Sequence, residues 1–195
     1  MATTEPVIFN TVVEGARKAY GKRLTPDLLA KLSAVGMDFE NPLPAYPMET
    51  FLTAIGVLAE AVAPGQPSEL QHLQLGREFM HGYVQTALGL ATLTMGRVIG
   101  VKRTLLRFGR ALKTTGNYVD AEATELGPAE VEIVTRIVPA FRSLITARWR
   151  AIAHYRVGVI EGALEILNVD GTVQLTDGEG PHESRFRVAW KQGAR

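Results

Sequence analysis

The chain is predicted to be an α+β fold in which N-terminal helices pack on a C-terminal antiparallel sheet of about four strands. Up to Lys113, apolar residues recur at the three- and four-residue spacing of helices. After Thr114 the pattern turns to alternation, in two turn-linked pairs of segments with one helical segment between them. A length of 195 residues, 46% apolar and 21% charged, suits one globular domain over 1–195 with a full core.

Each element has a local signal. Val7–Phe9 reads as a short strand, and Asn10 as the cap of a helix through Tyr20. Thr25-Pro26-Asp27 starts a second helix, with threonine as cap and proline at the first position, ending near Gly36. Residues 38–47 hold three prolines and form a connector, which Tyr46 pins to the core. Residues 48–63 read as a helix, with Phe51, Leu52, Ile55, Leu58 and Val62 inward. Ser68 is placed as the cap of a long helix that reaches Gly96–Gly100 and kinks there before a basic helix. Residues 117–125 and 129–138 form one hairpin, and 171–176 and 184–190 another. Between them, 141–150 is ambiguous and 154–167 is helical. In the last strand Phe186, Val188 and Trp190 face one side, with Arg185, Arg187 and Ala189 on the other.

Charge is unevenly spread. Residues 1–95 carry 6 basic and 9 acidic side chains, whereas 96–195 carry 15 and 11. The second half is thus cationic, but below the density of a dedicated nucleic-acid binder. No cysteine is present, which excludes disulfides, thiolate metal sites and cysteine nucleophiles. The first ten residues lack the pattern of a secretory signal, so a cytoplasmic protein is expected. Residues 79–96 form an 18-residue stretch without charge, but its three glycines, three threonines, His81 and Gln85 favour a buried core helix over a membrane span.

The main functional clue lies in 75–113. Gly82, Gly89 and Gly96 recur every seven residues and Gly100 follows four later, so on one helix all four share a face. Each interior glycine costs about 1 kcal/mol against alanine, so close approach of a helix or a ligand is the expected compensation. Gly82, Thr86, Gly89, Leu93 and Gly96 are therefore the candidate ligand-binding residues. Residues 97–113 contain six basic residues and no acid, with Val98, Val101, Leu105, Phe108 and Leu112 as an apolar seam. Arg103, Arg107 and Arg110 are the candidate anion or partner contacts; a solvated outer face is the plainer explanation.

The remaining chemistry is sparse. His72, His81, His154 and His182 have no metal-ligand spacing, and no metal site is expected. His81 is the histidine considered for a haem iron, although a solvent-edge role suits it better. Glu161 and Glu165 stand one turn apart, as acid–base pairs do and as solvated helical faces do more often. There is no nucleophile elbow or phosphate loop, and Gly158–Gly162 lacks the rest of a dinucleotide fingerprint, so no catalytic residue is assigned.

Several motifs occur in a familiar order. They are Gly36-x-Asp38, Pro44-Ala45-Tyr46-Pro47, Leu75-Gly76-Arg77-x-Phe79, Gly82-Tyr83, Thr86, Lys102-Arg103, Gly116-Asn117, Tyr155-x-x-Gly158 and Val188-x-Trp190. In this the chain resembles the myxobacterial paralogous family known as domain of unknown function 2378. The resemblance implies a stand-alone or appended cytoplasmic domain and supplies no catalytic residues. The element order is similar, more distantly, to the ligand-binding fold of haem-based nitric-oxide sensors, vinyl-4-reductase-type domains and Bet3-type tethering subunits. That likeness implies a helix-lined pocket. The sensors' Tyr-x-Ser-x-Arg haem-propionate motif is missing, so no cofactor is expected and haem is disfavoured.

The favoured reading is a non-catalytic sensor or adaptor domain for signalling or regulation, binding a small hydrophobic ligand or a protein partner. The alternatives are a homodimeric interaction protein, and a binder of nucleic acid or anionic membrane through 97–113. Nucleic acid is the weaker of these because no aromatic residue interleaves the basic face.

Overall fold

The computed structural model describes residues 5–143, 149–178 and 181–191. Strand β1 (Val7–Phe9) leads into helix α1 (Asn10–Tyr20). Asn10 is the first helical residue rather than the cap; Phe9 precedes the helix and no side chain caps it. Thr25 does cap α2 (Pro26–Ala34), its Oγ1 accepting from the Leu28 amide at 3.3 Å. The proline-rich connector ends in β2 (Ala45–Pro47), which pairs antiparallel with β1 and sets Ile8 opposite Tyr46. Tyr46 is buried and pins the connector twice: its hydroxyl donates to the Asp38 carbonyl at 2.8 Å and accepts from the Leu43 amide at 2.9 Å.

Helices α3 (Met48–Val62) and α4 (Ser68–Tyr83) follow, with Ser68 as the first helical residue and Pro67 before it. The long glycine-striped helix expected here is two helices. α4 ends at Tyr83, and α5 (Ala87–Ile99) begins after a turn. Thr86 makes the break: its hydroxyl donates to the Tyr83 carbonyl at 2.7 Å and accepts from the Gly89 amide at 3.1 Å. One side chain thereby satisfies orphan groups of both helix ends, competing locally with a continuous helix. Gly100, at φ 82°, then turns the chain sharply. The basic helix is also divided, into α6 (Val101–Leu106) and α7 (Phe108–Lys113).

The sheet consists of β3 (Val119–Gly127), β4 (Glu130–Ile137), β5 (Gly171–Asp177) and β6 (Glu183–Trp190), in the order β3-β4-β6-β5. Both hairpins are as expected, and β4 joins them by pairing antiparallel with β6, Ile133 opposite Phe186. Phe186 and Val188 are fully buried, while Arg185 and Arg187 on the other face bond to Glu132 and Glu130 of β4. The ambiguous stretch 141–150 includes residues 144–148, which lie outside those described; helix α8 (Trp149–Ile166) starts earlier than the helical pattern indicates.

α8 is the spine between two cores. Ala153, Val157, Ile160 and Leu164 pack with Val131, Ile133, Phe186 and Val188 of the sheet. Tyr155 and Val159, on its other side, join the core built from α1, α3 and α4. α4 and α8 cross in backbone contact: a Cβ on Gly76 would lie 1.9 Å from the Tyr155 carbonyl oxygen, and one on Gly158 would lie 1.9 Å from that of Leu73. Three polar groups are sealed into this interior. The Tyr20 hydroxyl donates to the Leu75 carbonyl at 2.6 Å, and burial pushes the Tyr20 and Tyr155 hydroxyls well above the ordinary phenol range. Arg156 donates to Thr135 Oγ1 at 3.0 Å and bonds with Tyr118, while burial draws its pKa down.

Candidate functional site

A pocket of about 750 Å³ opens between α2, α3, the first turns of α4 and the start of α8. Its volume lies in the range of small-molecule sites, roughly 300–1,000 Å³. α3 builds one wall because its 3-4 spacing turns Leu52 and Ile55 inward, and at Gly56 a Cβ would meet nothing within 4 Å. α2 adds Leu28 and Lys31, α8 adds Ala151 and Ile152, and α4 adds Ser68 and His72. The result is an apolar cleft with a few polar groups at its edge.

His72 is the chemically distinctive member. It is buried, and its Nδ1 lies 2.7 Å from the Ser68 carbonyl oxygen, with the Ser68 hydroxyl at 3.3 Å. A carbonyl only accepts, so Nδ1 carries a proton, and in the neutral ring the lone pair is on Nε2. This is the arrangement in which ligating histidines are held: one ring nitrogen oriented by a carbonyl, the other left to bind. Gln71 fixes the turn before it, donating to Glu60 and, at 3.1 Å, to the Ala63 carbonyl. Metal-ligand spacing does not single out His72 among four isolated histidines. The available signal is Ser68-x-x-x-His72, an i, i+4 spacing that lets the ring reach its own helix's carbonyl.

The residues expected to bind ligand sit elsewhere. Gly82 is in α4, Thr86 in the turn, and Gly89, Leu93 and Gly96 in α5. Gly89 and Leu93 line a cavity of only about 40 Å³. A Cβ on Gly82 would lie 2.1 Å from the Ala19 amide nitrogen, one on Gly89 would lie 1.9 Å from the Tyr83 carbonyl oxygen, and one on Gly96 would lie 3.2 Å from Thr104 Oγ1. Protein, from three different partners, occupies the space beside these glycines. Thr86→Ala is expected to lower stability by about 1 kcal/mol through loss of the α5 cap, read as a shift of the urea midpoint. An unchanged midpoint would mean that α5 does not depend on that hydroxyl.

The other candidates are on the surface. Arg103, Arg107 and Arg110 are exposed on α6, the turn after it, and α7. Arg107 Nη1 approaches Met95 Sδ at 3.4 Å. Their neighbours are differently placed: Lys102 bonds to Glu125, and Lys113 pairs with Asp120 at 3.1 Å. Glu161 and Glu165 are tied into ion pairs across α4 and α8, with Arg77 at 2.6 Å from Glu161 and His81 at 3.3 Å from Glu165. His81, more than half exposed, is at the solvent edge as expected. Among the described residues no cluster of three metal-ligating side chains occurs, and no helix is long and apolar enough to cross a membrane.

The fold is that of H-NOX domains. An oxygen-binding H-NOX domain related to soluble guanylate cyclases is 16% identical, with a TM-score of 0.62, covering 95% of this chain and 94% of that one. An H-NOX structure used to probe the function of haem distortion is 14% identical with a TM-score of 0.65, covering 95% and 96%. A point-mutant H-NOX from T. tengcongensis is 14% identical with a TM-score of 0.59, covering 94% and 95%.

These neighbours overturn the expectation that no cofactor is involved and that haem is disfavoured. That expectation rested on a missing propionate motif, and two of the similar H-NOX structures are described by their haem. At about 15% identity the backbone persists where a short sequence signature does not. The residues present fit the group chemically. His72 offers an oriented imidazole, Leu28, Leu52 and Ile55 offer apolar wall, and Lys31 offers a cation for a carboxylate. Among curated proteins none matches the chain. The family model for DUF2378, a protein of unknown function, matches residues 7–191, and the chain belongs to that family.

Proposed function

We propose that this domain is a non-catalytic sensor whose ligand occupies the pocket between α2, α3, α4 and α8. The observation that carries this reading is the 750 Å³ apolar cleft with His72, its Nδ1 committed to the Ser68 carbonyl, at its edge. The H-NOX fold supports it and makes haem the first ligand to test. In that role His72 Nε2 would hold the iron, the α3 wall would cover the macrocycle, and Lys31 would meet a propionate. Haem would supply there an iron centre able to bind small ligands.

The test is titration of the purified protein with haemin, followed by the Soret band, alongside native mass spectrometry of protein purified from its own host. Haemin is expected to bind with a shifted Soret band, and His72→Ala is expected to weaken binding by roughly tenfold or more. His81→Ala, at a surface ion pair, is expected to leave it unchanged. A host-derived apolar ligand other than haem would keep the sensor reading and replace the cofactor. Bare polypeptide together with no spectral response would end it.

A further inference from the structure

Helix α5 is not the buried core helix that the uncharged stretch 79–96 suggests. Only Gly89 and Gly96 are buried along its length. Four of the seven large apolar residues exposed among the described residues lie on these 13 positions: Leu88, Leu90, Met95 and Val98, the last at 82% exposure. Leu88, Ala91, Met95 and Val98 follow 3-4-3 spacing, an outward apolar seam opposite the inward glycines. Such concentration of exposed apolar side chains on a single helix marks an interaction surface.

The charges beside the seam say what covers it. Arg97, Arg103, Arg107 and Arg110 are all exposed, and there is no acidic residue in 97–113. Among the described residues none of the four forms an ion pair, although nearby Lys102 and Lys113 do. α6 folds back on α5, with Thr104 Oγ1 at 3.5 Å from the Gly96 carbonyl, and Arg107 lies against Met95 at the rim of the apolar face. The complement of this surface is apolar in its interior and anionic at its edge. A second copy of the chain does not meet that description, because facing seams would bring arginines toward arginines. At 13 residues α5 is about 20 Å long, too short to cross the roughly 30 Å hydrocarbon core and suited to lying in the interface.

We infer that α5 and the arginines of α6 and α7 dock the domain on an anionic lipid bilayer surface. Leu88, Met95 and Val98 enter the acyl boundary, while the guanidinium groups stay at the level of lipid phosphates. This inference is independent of the pocket and of what fills it.

Co-sedimentation of the full chain with phosphatidylcholine vesicles, with and without phosphatidylserine, tests it. The protein is expected to pellet with the serine-containing vesicles, to remain in solution with phosphatidylcholine alone, and to be released as salt rises. Val98→Glu, at an exposed position, is expected to abolish pelleting while the melting temperature holds. Replacing Arg103, Arg107 and Arg110 by Gln is expected to weaken binding by roughly a hundredfold. Three results would overturn the inference: no pelleting with anionic vesicles, pelleting indifferent to Val98→Glu, or a dimer in sedimentation equilibrium that Val98→Glu converts to monomer. The last would assign the seam to a second copy instead.

Discussion

Gly158→Ala is expected to prevent folding or to lower the unfolding free energy by about 3 kcal/mol or more. The added methyl would stand 1.9 Å from the Leu73 carbonyl oxygen, which is backbone of another helix and has no rotamer to yield. The helices would have to separate, and α4–α8 is the most extensive helix pair in the fold. Gly76→Ala meets the Tyr155 carbonyl in the same way, also at 1.9 Å. Because the two sites share one crossing, the double variant is expected to cost less than the sum of the singles. Gly56→Ala is the control. Gly56 is interior to α3, with nothing within 4 Å of its added Cβ, so alanine there is expected to gain about 1 kcal/mol from helix propensity. Urea unfolding measures all four; Gly158→Ala at wild-type stability would mean that the backbones are not in contact.

A steep alkaline loss of stability is the second large effect. Burial raises the folded-state pKa of Tyr20 and Tyr155 well above the ordinary phenol value of 10.0. Above that value the unfolded chain releases both phenolic protons and the folded chain keeps them, so the unfolded state binds fewer protons and stability falls as pH rises. The contribution is fully present below about pH 9 and is lost above about pH 10, at up to about 2.7 kcal/mol per pH unit for the pair. Tyr155→Phe is expected to halve that slope. Tyr20→Phe is expected to do the same while costing about 1 kcal/mol at neutral pH, since the Leu75 carbonyl loses its donor. Urea midpoints across pH, with phenolate absorbance as a second readout, check this. A flat profile through pH 11 would mean that both hydroxyls reach water in the folded state.

What the sequence revealed depended on the range of the interaction that encodes it. Thr25-Pro26 and both hairpins were legible because cap, proline and alternation act within a few residues. The division of 68–100 was not. The seven-residue glycine spacing fits one helix, and nothing in the apolar pattern interrupts it; polar side chains of the turn end α4 and start α5, the Thr86 hydroxyl bonding in both directions and the Gln85 amide donating to the His81 carbonyl at 2.9 Å. β2 stayed hidden among three prolines, since a three-residue strand is defined by its partner β1 rather than by its own composition. The pocket was illegible for a related reason. Lys31, Leu52, His72 and Ile152 come from four elements, and no spacing along the chain links them. The arginines of 97–113 stand out along the sequence, whereas the exposed apolar face of the helix beside them emerges only in the fold.

The glycine crossing also governs how the molecule transmits force. Where side chains separate two helices, a push on one is absorbed by rotamer changes and small slips before the other feels it. Between Gly76 and Gly158 that cushioning layer is missing, and peptide groups bear directly on α-carbons. α4 and α8 therefore respond as one stiff strut, with His72 on the turn beside the fulcrum and the sheet seated along the far helix. A shift of α4 at His72 would meet backbone rather than side chains at the crossing, and the strands packed along α8, β4 and β6, are the next elements in its path.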